Sequence, residues 1–170
     1  MAESLDFEKL VACHYQHLYQ FAFSLTRDEA ESCDLTQETF CIWATRGHQL
    51  RDISKVKTWL FTTLHREFLG SRRRQTRFPH TELDTAEADL PAITPEPVSR
   101  LDLEQVMTKL SLVDEVYQAP VALFYLQDYS YKEIAEILEI PIGTVKSRLA
   151  RGLLRLNQLF TDAGTQPPTT

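Results

Sequence analysis

Residues 131–150 read YKEIAEILEIPIGTVKSRLA, and the fold turns on this stretch. Two short apolar-periodic runs flank a turn that contains Pro141 and Gly143. Ser130-Tyr131-Lys132-Glu133 opens the first run as a capping box, in which the serine and glutamate side chains each accept the other residue's backbone N–H. Ala135 supplies the small residue needed where a second helix crosses closely. Leu138, Ile140, Val145 and Leu149 supply the apolar contacts that lock the crossing angle. This is the pattern of a helix-turn-helix. Its second helix, expected over Thr144–Leu159, has no acidic residue between Thr144 and Asn157. A recognition helix presents its N-terminal residues to base edges while flanking cations meet phosphates. Thr144, Lys146, Ser147 and Arg148 are therefore the candidates for base or groove contact, and Arg151, Arg155 and Lys132 for phosphate contact.

The same helical period runs upstream. Phe7, Leu10, Val11, His14, Leu18, Phe21, Ala22 and Leu25 form one stripe of an amphipathic helix. Thr26-Arg27-Asp28-Glu29 reads as a capping box for a second helix through Ala44, and Gly47 ends it. Ser54 is the expected N-cap of a third. Its buried face is Val56, Trp59, Leu60, Leu64 and Phe68, with Thr62, Arg66, Leu69 and Arg73 roughly opposite. Between residues 75 and 100 the pattern breaks, where Pro79, Pro91, Pro95 and Pro97 accompany Glu82, Asp84, Glu87, Asp89 and Glu96. Such a composition makes an extended, self-repelling linker. Helical spacing resumes at Leu101, and Pro120 is expected to start or kink a helix. The reading is all-α: two small helical modules, residues 1–77 and 101–160, a flexible acidic linker over 78–100, and a disordered tail over 161–170.

Charge is distributed as unevenly as structure. The net charge is −6, yet residues 46–77 hold nine basic and two acidic side chains, whereas 1–45 hold two and eight. A polyanion responds to the field within about 10 Å at ordinary salt, so the local excess matters more than the total. A basic helix end favoured by the helix dipole would give the same run without any ligand. No run of eighteen apolar residues is present, which excludes membrane insertion by a helix, and Met1–Asp6 lacks the pattern of a secretory signal. Cys13, Cys33 and Cys41 have neither disulfide parity nor metal-site spacing. His14 and His17 lie one turn apart beside Cys13, but no third ligand accompanies them, and His14 falls on the apolar stripe. No Walker loop, G-x-S-x-G or H-E-x-x-H occurs. The expectation is a cytoplasmic protein that is not an enzyme and has no cofactor or metal.

In series, these segments resemble a bacterial RNA polymerase sigma factor of the extracytoplasmic-function type. Residues 129–149 are similar to that family's region 4. Residues 34–40, DLTQETF, are similar to its polymerase-binding segment in region 2, and residues 57–61, KTWLF, to its promoter-opening segment. The resemblance implies that Asp34, Gln37 and Glu38 dock on the β′ clamp helices of core RNA polymerase. It implies that Arg66, Arg72, Arg73, Arg74 and Arg77 face the minus-ten promoter DNA, with a base pocket in residues 49–55. Region 4 would read the minus-thirty-five element and engage the β flap. The chain would be a monomer when free, and an anti-sigma factor is a further partner that the resemblance leaves open.

Two positions depart from the family pattern. Arg66 stands where many relatives carry asparagine near the flipped base, and Glu139 stands at a turn position that usually favours glycine, so a less common helix end is expected there. The acidic linker is open to two readings, a spacer or a phosphate mimic in the RNA channel of the polymerase. A stand-alone helix-turn-helix regulator is the rival reading of the whole, but it gives no role to residues 34–40 or 59–77.

Overall fold

A computed structural model of the protein describes residues 6–75 and 103–163. The linker over 78–100, Arg77, and the tail from Gly164 lie outside the described residues. Seven α-helices account for most of what is described: α1 (Phe7–Thr26), α2 (Glu29–Arg46), α3 (Val56–Gln75), α4 (Leu103–Leu110), α5 (Glu115–Tyr125), α6 (Tyr131–Leu138) and α7 (Ile142–Ala163). Among the described residues no helix is long and apolar enough to cross a membrane.

Helices α1 and α2 form a hairpin with a two-residue turn. Arg27 takes the left-handed conformation (φ 60°), and its N–H closes on the Phe23 carbonyl. Asp28, not Thr26, caps α2: its carboxylate accepts the Glu31 N–H at 2.8 Å. Thr26 ends α1 instead, and its hydroxyl meets that of Ser32 at 2.7 Å. The inner face of α2 is unusual for a core helix. Ser32, Thr36 and Thr39 are fully buried there, and the two threonine hydroxyls donate to the carbonyls of Ser32 and Leu35. Each buried oxygen is thereby satisfied within its own helix, leaving a small, dry surface against which α1 packs.

A short 3-10 turn, Ile53–Lys55, leads into α3. Its cap is Asp52, whose carboxylate accepts both the N–H and the hydroxyl of Ser54. Leu60, Leu64 and Phe68 are buried as expected. Phe61 is buried as well, while Trp59 is only partly covered and meets Trp43 edge-on at 5.1 Å. Helix α3 therefore buries two adjacent faces, not one.

In the second module Pro120 lies inside α5, one turn past its start at Glu115, and neither begins the helix nor ends it. Gln118 is fully buried, with its amide donating to the Val113 carbonyl at 2.8 Å. The capping box at Ser130 forms in both directions. Glu139 ends α6 in the left-handed region (φ 57°, ψ 42°). This is the ordinary glycine-type ending, not a rarer one, and it costs a residue with a Cβ roughly 1 kcal/mol. Helix α7 then runs to Ala163, four residues past the expected end. Gly152 sits where α5 and α7 touch: a Cβ there would lie 2.5 Å from Val121 Cγ2 and 3.1 Å from Tyr117 Cβ. Gly152→Ala should accordingly lower stability by about 1–3 kcal/mol through overpacking, read from urea unfolding.

The two modules touch. Helix α3 packs on α6 and α1 on α5. Phe61 lies 5.4 Å from the ring of Phe21 in its own module and 5.4 Å from that of Tyr129 in the other. Lys57 stands 5.0 Å over the Tyr129 ring, and the Gln127 amide donates to the His17 carbonyl at 3.3 Å.

Candidate nucleic-acid interface

The helix-turn-helix forms, but its second helix begins at Ile142, two residues before the expected Thr144, so Gly143 lies in the helix and not in the turn. Val145 and Leu149 are buried against the rest of the module, together with Ile134, Ile137 and Leu138 of α6. With that face turned inward, Lys146 and Arg155 stay exposed, and Lys132 is exposed on α6. Thr144, Ser147, Arg148 and Arg151 are partly buried, and the Ser147 hydroxyl donates to the Thr144 carbonyl at 3.1 Å.

The cations of α3 cluster at its C-terminal end, where unpaired helix carbonyls favour positive charge. Arg73 and Arg74 are exposed. The Arg72 guanidinium lies 5.0 Å from the Phe68 ring centre, with its Nε 3.7 Å from Glu115 of α5. Arg66 reaches farther across: Nε donates to Glu139 Oε2 at 3.2 Å, and Nη2 donates to Glu139 Oε1. The pair is two-pronged, and it joins α3 to the turn of the helix-turn-helix.

Between the modules lies a cleft of about 640 Å³, lined by His65, Phe68, Arg72, Tyr117, Leu138 and Arg148 among others. Burial pulls Arg148 below the usual arginine range. Burial also depresses His65, to about 4; nearby Glu139 opposes that shift and Arg148 reinforces it. The sign follows from linkage. A histidine whose folded pKa lies below its unfolded value of about 6.5 binds fewer protons when folded, so stability falls as pH drops from about 6.5 to about 4. His65→Gln should flatten that part of the stability–pH curve, and an unchanged slope in urea titrations would remove His65 as its source.

Asp34, Gln37 and Glu38 are all exposed on α2, on the face roughly opposite the buried Leu35, Thr36 and Thr39. His65, Glu139 and Tyr129 were not marked by any local pattern as partners of α1 or α3. Glu139 alone carried a signal, as a non-glycine at a glycine-type turn, but nothing near it in sequence named its partner.

Residues 10–78 match the Sigma-70 region 2 family, and residues 103–156 match Sigma-70 region 4, in that order along one chain. The chain belongs to the sigma-70 family, as a factor of the extracytoplasmic-function type. This sigma factor is 27% identical to the ECF RNA polymerase sigma factor SigM of Bacillus subtilis over 92% of its own length and 96% of the relative's. It is 32% identical to the ECF RNA polymerase sigma factor SigE of Mycolicibacterium smegmatis, over 89% of its length and 60% of that protein's. Among solved structures it is similar to the sigma factor RpoE of Bartonella quintana in complex with the anti-sigma factor NepR, with a TM-score of 0.72, 27% identity, and coverage of 92% and 97%. As an RNA polymerase sigma factor it directs promoter recognition. A stand-alone regulator would leave the region 2 match without a purpose. Sigma factors are initiation factors whose catalytic partner is the polymerase.

Proposed function

We propose a division of surfaces within this sigma factor. Asp34, Gln37 and Glu38 on α2 dock on the β′ clamp helices of core polymerase. Arg66, Arg72, Arg73, Arg74 and Arg77 hold the separated strand of the minus-ten element by its phosphates. Thr144, Lys146, Ser147 and Arg148 read the minus-thirty-five duplex, flanked by Arg151, Arg155 and Lys132 on phosphates, and the apolar side of region 4 engages the β flap. The chain works in the cytoplasm as a monomer until it meets polymerase, carries no reaction of its own, and is open to restraint by an anti-sigma protein.

The observation that carries this reading is the serial match to both sigma regions, together with the segregation of exposed carboxylate and amide groups on α2 from the arginine-rich end of α3. Phosphate contacts made by several arginines weaken steeply with salt, so promoter binding by the holoenzyme should too. Gln37→Ala with Glu38→Ala should reduce affinity for core polymerase at least tenfold, since hot-spot truncations in an interface cost about 2 kcal/mol or more. The thermal melt should stay unchanged, because both side chains are exposed. Fluorescence titration of labelled variant with core enzyme reads the first quantity. Wild-type affinity in that titration moves the docking surface elsewhere.

A further inference from the structure

The two residues that depart from the sigma pattern, Arg66 and Glu139, are bonded to each other across 73 positions of sequence. One belongs to the helix proposed to face the opened promoter strand, the other to the turn of the helix-turn-helix. We propose that this pair is a latch between the modules, holding the free protein in a closed resting form that must open before promoter DNA can bind. The proposal rests on the division of surfaces given above.

Three observations support it independently of family pattern. Glu139 is held in a left-handed backbone conformation that glycine would adopt without strain. A residue kept at such a position invites a role for its side chain, and this side chain's partner is Arg66. The bond is two-pronged, the geometry in which a guanidinium fixes a carboxylate by orientation as well as charge. The closed form occupies groups that DNA would need: Arg66 is committed to a carboxylate, and Arg148 is partly buried in the cleft between the modules, beside His65. Phosphates and Glu139 cannot hold one guanidinium face at once.

The seam under the latch is suited to reversal. The edge-on contact of Phe61 with Tyr129 and the Lys57 ammonium over the Tyr129 ring favour closure. Against them, the Tyr129 hydroxyl and the Gln127 side-chain carbonyl are buried without a hydrogen-bond partner among the described residues, a cost that opening relieves. Both members of the pair are largely solvent-exposed, at 62% and 50% of their side-chain surface, so the latch is weak and sensitive to salt. A weak latch shifts populations without locking the protein. A polyanion competing for Arg66, or polymerase separating the modules, is then sufficient to open it.

The test uses the full chain with its three cysteines replaced by serine and a dye pair at Gln16 and Gln158, both exposed, one on each module. Glu139→Gln removes the charge, and Glu139→Gly removes the whole side chain while relieving the backbone. Each should raise the open-to-closed ratio roughly two- to five-fold at low salt, the scale of an exposed ion pair, and the difference from wild type should vanish at 1 M salt. The charge swap Arg66→Glu with Glu139→Arg should restore the closed population. In run-off transcription at limiting protein, Glu139→Gln should increase promoter output with core enzyme by a similar factor. Wild-type distance distributions in both single variants overturn the latch. An opened distribution with no gain in transcription overturns its role as a resting form. Wild-type protein that gives no transcript with core enzyme contradicts the division of surfaces instead, while leaving the distance measurement to judge the pair.

Discussion

Phe61→Ala should destabilise the protein by about 3–5 kcal/mol, the usual cost of emptying a buried aromatic site. Phe61 is fully buried and touches aromatic rings on both sides of the seam, Phe21 in its own module and Tyr129 in the other. Truncation therefore removes packing within region 2 and cohesion between the modules together. Domains are stable by only about 5–15 kcal/mol, so the variant should unfold at a much lower urea midpoint than wild type. Phe61→Leu, which keeps most of the volume, should recover the larger part of the loss. A change below about 1 kcal/mol for the alanine variant would mean that this ring faces solvent in the free protein, as a stacking platform for an unpaired base would.

Arg148→Ala combined with Arg151→Ala should weaken promoter binding by the holoenzyme at least thirtyfold. A base-reading arginine is worth about 1–3 kcal/mol, and a flanking phosphate contact adds to it. Affinity for core polymerase should be unchanged, because neither residue lies on α2 and neither supports the core of its module. Arg148 gives up partial burial beside His65 when it is truncated, so its loss also relaxes the cleft between the modules. Salt titration separates the two arginines: the Arg151 variant alone should lose about one unit of salt slope, whereas the Arg148 variant alone should lose discrimination between promoter sequences. Equal effects of both variants on core binding would contradict the assignment.

Much of the architecture is legible locally. The Ser130–Glu133 box, the apolar pairs around Pro141 and the stripe of α1 depend on neighbours within one or two turns. The box and the pairs form as read, and the stripe is buried at Leu10, Leu18, Phe21, Ala22 and Leu25, while Phe7 is exposed and His14 only partly covered. Misreadings arise where a local rule had two solutions. Thr26 and Asp28 are both good caps, and the two-residue turn with Arg27 left-handed selects the second. Pro120 is compatible with a helix start, but Glu115 already begins the helix one turn earlier. The inner face of α2 is hidden for a different reason: Ser32, Thr36 and Thr39 satisfy their hydroxyls on their own backbone, so a buried surface carries a polar composition.

The contacts between modules leave no periodic trace at all. Phe61 reads as the second face of a helix whose first face already supplies a core. Its reason for being apolar, Tyr129, stands in the other module. Glu139 is a residue with a Cβ at a glycine-type turn, and only the folded chain brings it to Arg66. Sites made by distant pairs are the part of this protein that reading along the chain does not reach.

Most direct is a transcription assay with the purified chain, bacterial core polymerase and a library of genomic DNA fragments, followed by mapping of transcript 5′ ends. Discrete start sites that are absent with core enzyme alone are expected, each preceded by shared minus-ten and minus-thirty-five elements, and lost in the Arg148→Ala, Arg151→Ala variant. Start sites no different from those of core enzyme alone would contradict this reading.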